Sequence, residues 1–104
     1  MRIAVDAMGG DHAPHEIVRG VADGLRYLDQ GDEIHLYGIE ERIRAVCDDA
    51  LLSNSRIVIR HCPTCIEMDE SPVEALRHKR DSSIVRMAAD AGKGELHALI
   101  SAGN

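Results

Sequence analysis

Short apolar runs, too brief for helices, alternate along the chain with longer stretches whose apolar residues repeat every three or four positions. That alternation narrows the fold more than any single motif. The first run, residues 2–6, sets Ile3, Ala4 and Val5 side by side, as in a strand covered on both faces. From Pro14 to about Gln30, Ile17, Val21, Leu25 and Leu28 fall on one helical stripe. Pro14 suits the first helical turn, where its missing N–H costs nothing, and Glu16 complements the positive end of the helix dipole.

The pattern then repeats. Residues 33–38 carry Ile34, Leu36 and Tyr37 and read as a second strand; a helix over 40–52 follows, striped by Ile39, Ile43, Val46, Cys47 and Ala50. Residues 56–60 read as a third strand, and 61–70 as irregular. Ser71-Pro72-Val73-Glu74 is a capping box with proline at the first helical position, predicting a short helix to about Lys79. Asp81 is a candidate cap for another helix over 82–91 that turns Ile84, Val85, Met87, Ala88 and Ala91 inward until Gly92 and Gly94 stop it. Residues 97–101 complete a fourth strand. Strands separated by helical crossovers specify a three-layer α/β/α fold with a mainly parallel sheet. Such sheets hold ligands beyond the carboxyl ends of their strands, which directs attention to the loops after Asp6, His61 and Ser101.

Composition removes several function classes. With 104 residues, 44% hydrophobic and 29% charged, the chain is in the range of one globular unit. A net charge of −6 argues against a general nucleic-acid binder, which needs a basic face. No apolar run approaches the ~20 residues of a membrane span, and no basic stretch with an apolar segment opens the chain, so the expected location is cytoplasmic. Cys62-Pro63-Thr64-Cys65, with His61 beside it, has the spacing of redox and zinc sites, but a closed zinc site needs a fourth ligand. Cys47, Cys62 and Cys65 are therefore read as reduced thiols, with no metal expected.

The loop Asp6-Ala7-Met8-Gly9-Gly10-Asp11-His12-Ala13-Pro14 admits two readings. Paired glycines let the backbone approach a ligand, and the start of the following helix offers amides to an anion such as phosphate. Equally, the loop can be a tight strand-to-helix turn with Asp11 as its cap. It is neither a dinucleotide fingerprint nor a Walker loop. The basic run Arg77, His78, Lys79 and Arg80 can attract phosphate or an acidic partner, or simply complement a helix carboxyl end.

The segment from Ile3 to Pro14 is similar, almost residue for residue, to the opening of phosphate acyltransferases of the PlsX type. Ile66-Glu67-Met68-Asp69-Glu70-Ser71-Pro72-Val73-Glu74-Ala75-Leu76-Arg77 and Lys79-Arg80-Asp81-Ser82-Ser83 resemble that family's central signature, and Ser101-Ala102-Gly103-Asn104 the start of a further motif. The resemblance implies transfer of a fatty acyl group from acyl carrier protein to inorganic phosphate. The acyl phosphate would serve a membrane glycerol-3-phosphate acyltransferase in phospholipid synthesis. It also implies a homodimer, no cofactor, and an architecture like that of isocitrate dehydrogenases and phosphotransacetylases. A peripheral place at the membrane is compatible with that role.

On this resemblance, phosphate is expected near Gly9, Gly10, Ser101, Gly103 and Asn104, with the Asn104 side chain the best candidate for a catalytic donor. Asp6 and Asp11 are expected to orient donors and fix the loop, since two anions repel. Lys79, Asp81 and Ser82 are candidates for ligand contacts or for helix caps. Family members continue past the position of Asn104, so the chain is expected to be an amino-terminal part, inactive alone. The alternative is a non-catalytic α/β module that binds a phosphorylated metabolite or a partner protein.

Overall fold

The computed structural model describes residues 1–67 and 69–103. In chain order the elements are β1 (Arg2–Asp6), α1 (His15–Gly24), β2 (Glu33–Gly38), α2 (Glu40–Val46), α3 (Asp49–Leu52), β3 (Ile57–His61), α4 (Pro72–His78), α5 (Ser83–Gly92) and β4 (Ala98–Ile100). All strand pairs are parallel and the sheet order is β3-β2-β1-β4. Val5 of β1 pairs with Leu36 of β2 on one side and Ile100 of β4 on the other. The chain therefore steps outward from β1 through β2 to β3, then α4 and α5 carry it back across to the far side of β1. That reversal opens a crevice at the carboxyl ends of β1 and β4, the place where open parallel sheets hold their ligands.

Alternation along the strands builds two cores. Val5, Ile34 and Leu36 face Val18 and Val21 of α1, Ile43 of α2 and Leu51 of α3. Ala4 and Tyr37 point the opposite way and pack with Cys62 and Met87 of α5. Helices thus lie on both faces, giving the three layers expected from the sequence. Leu36 is fully buried at the centre of the first core, so truncating it to alanine should cost about 2–5 kcal/mol.

The second face is more polar. Tyr37, fully buried, donates its hydroxyl to Asp90 Oδ2 of α5 at 2.6 Å, and Arg60 Nη2 reaches the same oxygen at 3.2 Å. Burial, together with the hydrogen bond to Asp90, holds the Tyr37 phenol well above the usual tyrosine range.

Several boundaries differ from the sequence reading, each for a local reason. Helix 40–52 is two helices, because Cys47 and Asp48 are extended and the Asp48 carboxylate accepts from Leu51 N at 2.8 Å to cap α3. Pro14 is the residue before α1 rather than its first, and α1 ends at Gly24, passing into a 3₁₀ turn over Leu25–Tyr27. Ser71 stands at the predicted start of α4, but its side chain makes no capping hydrogen bond. Ser82, not Asp81, occupies the cap position of α5, and again the cap is not closed by the side chain. The outer strand β4 leaves Leu99 45% and Ile100 56% exposed. Among the described residues no helix is long and apolar enough to cross a membrane.

Candidate functional site

The crevice predicted by the strand order contains a small cavity of about 40 Å³, the room of roughly three water molecules. Met8, Gly9 and Gly10 line it from the loop after β1, Ser101 and Gly103 from the segment after β4, and Ser83 and Ile84 from the first turn of α5. Ile66 closes one side. Space of this size suits a compact anion rather than a nucleotide.

Asp6 organises the cavity. It is the last residue of β1 and only 5% exposed, so its carboxylate needs hydrogen-bond donors to offset the loss of water. Oδ1 accepts from Ser83 Oγ at 2.6 Å and from the Met8 amide at 3.1 Å, and Oδ2 accepts from Ser101 Oγ at 2.9 Å. Ser101 Oγ in turn accepts from the Gly103 amide at 3.2 Å. One buried carboxylate thereby ties together three segments far apart in sequence. Asp6 fixes the direction in which both serine hydroxyls point.

The glycines have a steric reason. A Cβ on Gly9 would stand 2.9 Å from Asp6 Oδ2, 2.9 Å from the Gly103 nitrogen and 3.0 Å from Ser101 Oγ. Gly10 has φ +92°, a backbone conformation that side chains rarely adopt. Gly9 and Gly103 thus let two loops meet back to back, and Gly10 turns the first loop away. The helix whose start lines the cavity is α5, not α1, which sequence order alone suggested. The start of α5 thus brings the positive end of a helix dipole to the cavity wall.

The remaining candidates are placed differently. Asp11 lies on a second, more open groove that adjoins the cavity and is also lined by Met8, Gly10, Arg42, Cys65 and Ile66. Lys79 does not line the cavity: its Nζ donates to Glu70 Oε1 and, at 2.9 Å, to the Cys65 carbonyl, pinning the loop that carries Ile66. The ammonium holds the Glu70 carboxyl below the usual range, and the pair holds the Lys79 amine above its own. Asp81 is exposed in the turn before α5. Ser82 is fully buried, and its backbone bridges to Thr64. Met68 and Asn104, and with Asn104 the proposed catalytic donor, lie outside the described residues.

Ser83 is the site residue that sequence reasoning did not single out. Its hydroxyl reaches Asp6 across 77 positions of the chain, and the sequence offered it only as the last residue of the signature-like run from Lys79 to Ser83. The cysteines, by contrast, stand away from this chemistry. All three are free, Cys62 is 1% exposed, and burial raises each thiol above its ordinary range, which disfavours the reactive thiolate. Among the described residues no group of three or more His, Cys, Asp and Glu side chains is placed to hold a metal ion.

Residues 1–104 match the family model described as fatty acid synthesis protein. The whole chain is 48% identical over 105 residues to a phosphate acyltransferase of Desulfitobacterium hafniense strain DCB-2. It is 47% identical over 104 residues to that of Geobacillus thermodenitrificans, and 46% over 104 to that of Bacillus pumilus. In each case the chain spans about 30% of the relative's length.

Proposed function

The chain belongs to the fatty acid synthesis protein family, and from that premise we propose that it forms the phosphate-holding part of a phosphate acyltransferase. The observation that carries this reading is the cavity at the switch point between β1 and β4, sized for a small anion and walled by glycine loops and a helix start. Inorganic phosphate lies there with the amides of Gly10, Ser83 and Ile84 around its oxygens. Fatty acyl-acyl carrier protein presents its thioester carbon to one of those oxygens. A phosphate oxygen bonds to the carbonyl carbon, the C–S bond breaks, and the carrier thiol leaves with a proton. No enzyme nucleophile is needed. The protein's contribution is to hold the two reactants together and supply donors to the developing oxyanion, effects worth about 7–11 and 3–4 kcal/mol at best. Asn104 remains the candidate for the oxyanion donor.

In this reading Lys79 acts through the loop it pins rather than on phosphate, and Asp81 and Ser82 shape the start of α5. The protein works without a cofactor, as a homodimer in the cytoplasm or at the membrane surface, and its acyl phosphate passes to a membrane glycerol-3-phosphate acyltransferase. The exposed Leu99 and Ile100 of β4 offer an edge on which the longer chain of the relatives can continue the sheet and close the cavity's open side. The test uses the protein at the relatives' full length. Acyl-acyl carrier protein and phosphate should yield acyl phosphate, trapped by hydroxylamine as hydroxamate, and Asn104→Ala should depress kcat. Hydroxamate that forms equally without phosphate, or none at all, would refute the assignment.

A further inference from the structure

The hydrogen-bond polarity of the cavity says which oxyanion it selects. A carboxylate only accepts, so Ser83 and Ser101 must both turn their protons toward Asp6. Each hydroxyl is then left with acceptor capacity alone. Ser83 Oγ, 3% exposed, keeps two lone pairs that receive no donor among the described residues. Ser101 Oγ keeps one after the Gly103 amide, and Asp6 Oδ2 keeps one after Ser101. All three residues line the cavity. Gly10 and Ile84 also line the cavity, and a backbone N–H can only donate.

We infer that the cavity is built for an oxyanion that carries a proton, and that Asp6, acting through Ser83 and Ser101, is the residue that makes it choose phosphate over sulfate. Hydrogen phosphate has acceptor oxygens for the amides and one P–OH to donate to the serine lone pairs. Sulfate has the same tetrahedral shape but no proton to donate, so its oxygens would face acceptors. Leaving buried acceptors opposed in this way lowers affinity by about 10- to 100-fold. The inference rests on the proposed phosphate site, and it names what that site rejects.

The experiment uses the full-length protein at about pH 8, where hydrogen phosphate and sulfate carry the same double charge. Titration calorimetry measures the binding of inorganic phosphate and of sulfate, and the hydroxamate assay measures inhibition by sulfate. Phosphate should bind at least about tenfold more tightly, and sulfate should inhibit only weakly. Asp6→Asn supplies an amide N–H and frees the serine protons, so the phosphate KM should rise while the sulfate inhibition constant falls. A purely structural role would lower kcat or stability with the phosphate-to-sulfate ratio intact. Equal binding of the two anions by the unmodified protein overturns the inference even if acyl phosphate is made. Selective phosphate binding without acyl phosphate formation upholds it and removes the acyltransferase reading instead.

Discussion

Adding a single methyl group at Gly9 tests whether the two loops must meet as tightly as the structure shows. The new Cβ would come within 2.9 Å of Asp6 Oδ2, 2.9 Å of the Gly103 nitrogen and 3.0 Å of Ser101 Oγ, where ordinary contact begins at 3.4 Å. Overlaps of roughly half an ångström at three atoms, one of them backbone, fall in the overpacking range of about 1–3 kcal/mol. Gly9 does not have a positive φ, so alanine recovers about 0.4–1 kcal/mol from the less flexible unfolded chain. The net is a loss of about 1–2 kcal/mol, or roughly 1–3 °C in Tm for a protein of the relatives' size. Gly20→Ala is the control, because nothing lies within 4 Å of its Cβ and the helix interior favours alanine by up to ~1 kcal/mol. Thermal unfolding of both variants in the full-length protein, with phosphate KM measured alongside, should separate them in sign. Gly9→Ala should melt lower and bind phosphate about tenfold more weakly, as Asp6 and Ser101 are pushed apart. If Gly9→Ala gains stability as Gly20→Ala does, the close packing of the two loops is wrong.

Tyr37→Phe removes the hydrogen bond to Asp90 but leaves Arg60 beside that carboxylate, so it should cost about 1–2 kcal/mol in urea unfolding. The Tyr37 phenol is raised in the folded state, so its contribution is complete below the ordinary tyrosine pKa of about 10 and declines as pH rises above it. The phenylalanine variant should lose less stability than the unmodified protein between neutral and strongly alkaline pH; parallel curves would contradict this. Glu70 is depressed chiefly by Lys79, so the pair's support of the loop is present above the ordinary glutamate range and fades as pH falls through the lowered value. In Lys79→Met the Glu70 carboxyl should titrate closer to its usual range by carbon NMR, and an unmoved titration would break the pairing.

How far the sequence could be read depended on the range of the interaction concerned. Strands covered on both faces announce themselves as apolar runs, and Ile3, Ala4 and Val5 or Ile34, Leu36 and Tyr37 needed no tertiary information. The break at Asp48 was harder, because the helical stripe continues through Cys47 and Ala50 while a local side-chain cap overrides it. At the site, Asp6, Gly9, Gly10, Ser101 and Gly103 were legible from the two loop motifs. Ser83 was not, because its significance is a contact 77 residues away that depends on where α5 docks. Lys79 is the converse: its place in a basic run suggested an anion, whereas folding presents it with Glu70 and the Cys65 carbonyl. A cation's partner is set by the loop opposite it, and spacing carries no record of that.

The claim at the centre of this account is that phosphate sits in the cleft between β1 and β4, against the start of α5. Amide NMR of the isotope-labelled full-length protein, titrated with inorganic phosphate, tests it most directly. The account predicts saturable shifts concentrated at the Gly10, Ser83, Ile84 and Gly103 amides, abolished or greatly weakened in Gly9→Ala. Shifts centred instead on Arg77, Lys79 and Arg80, with the cleft amides unmoved, would contradict it and place the anion on the basic surface after α4.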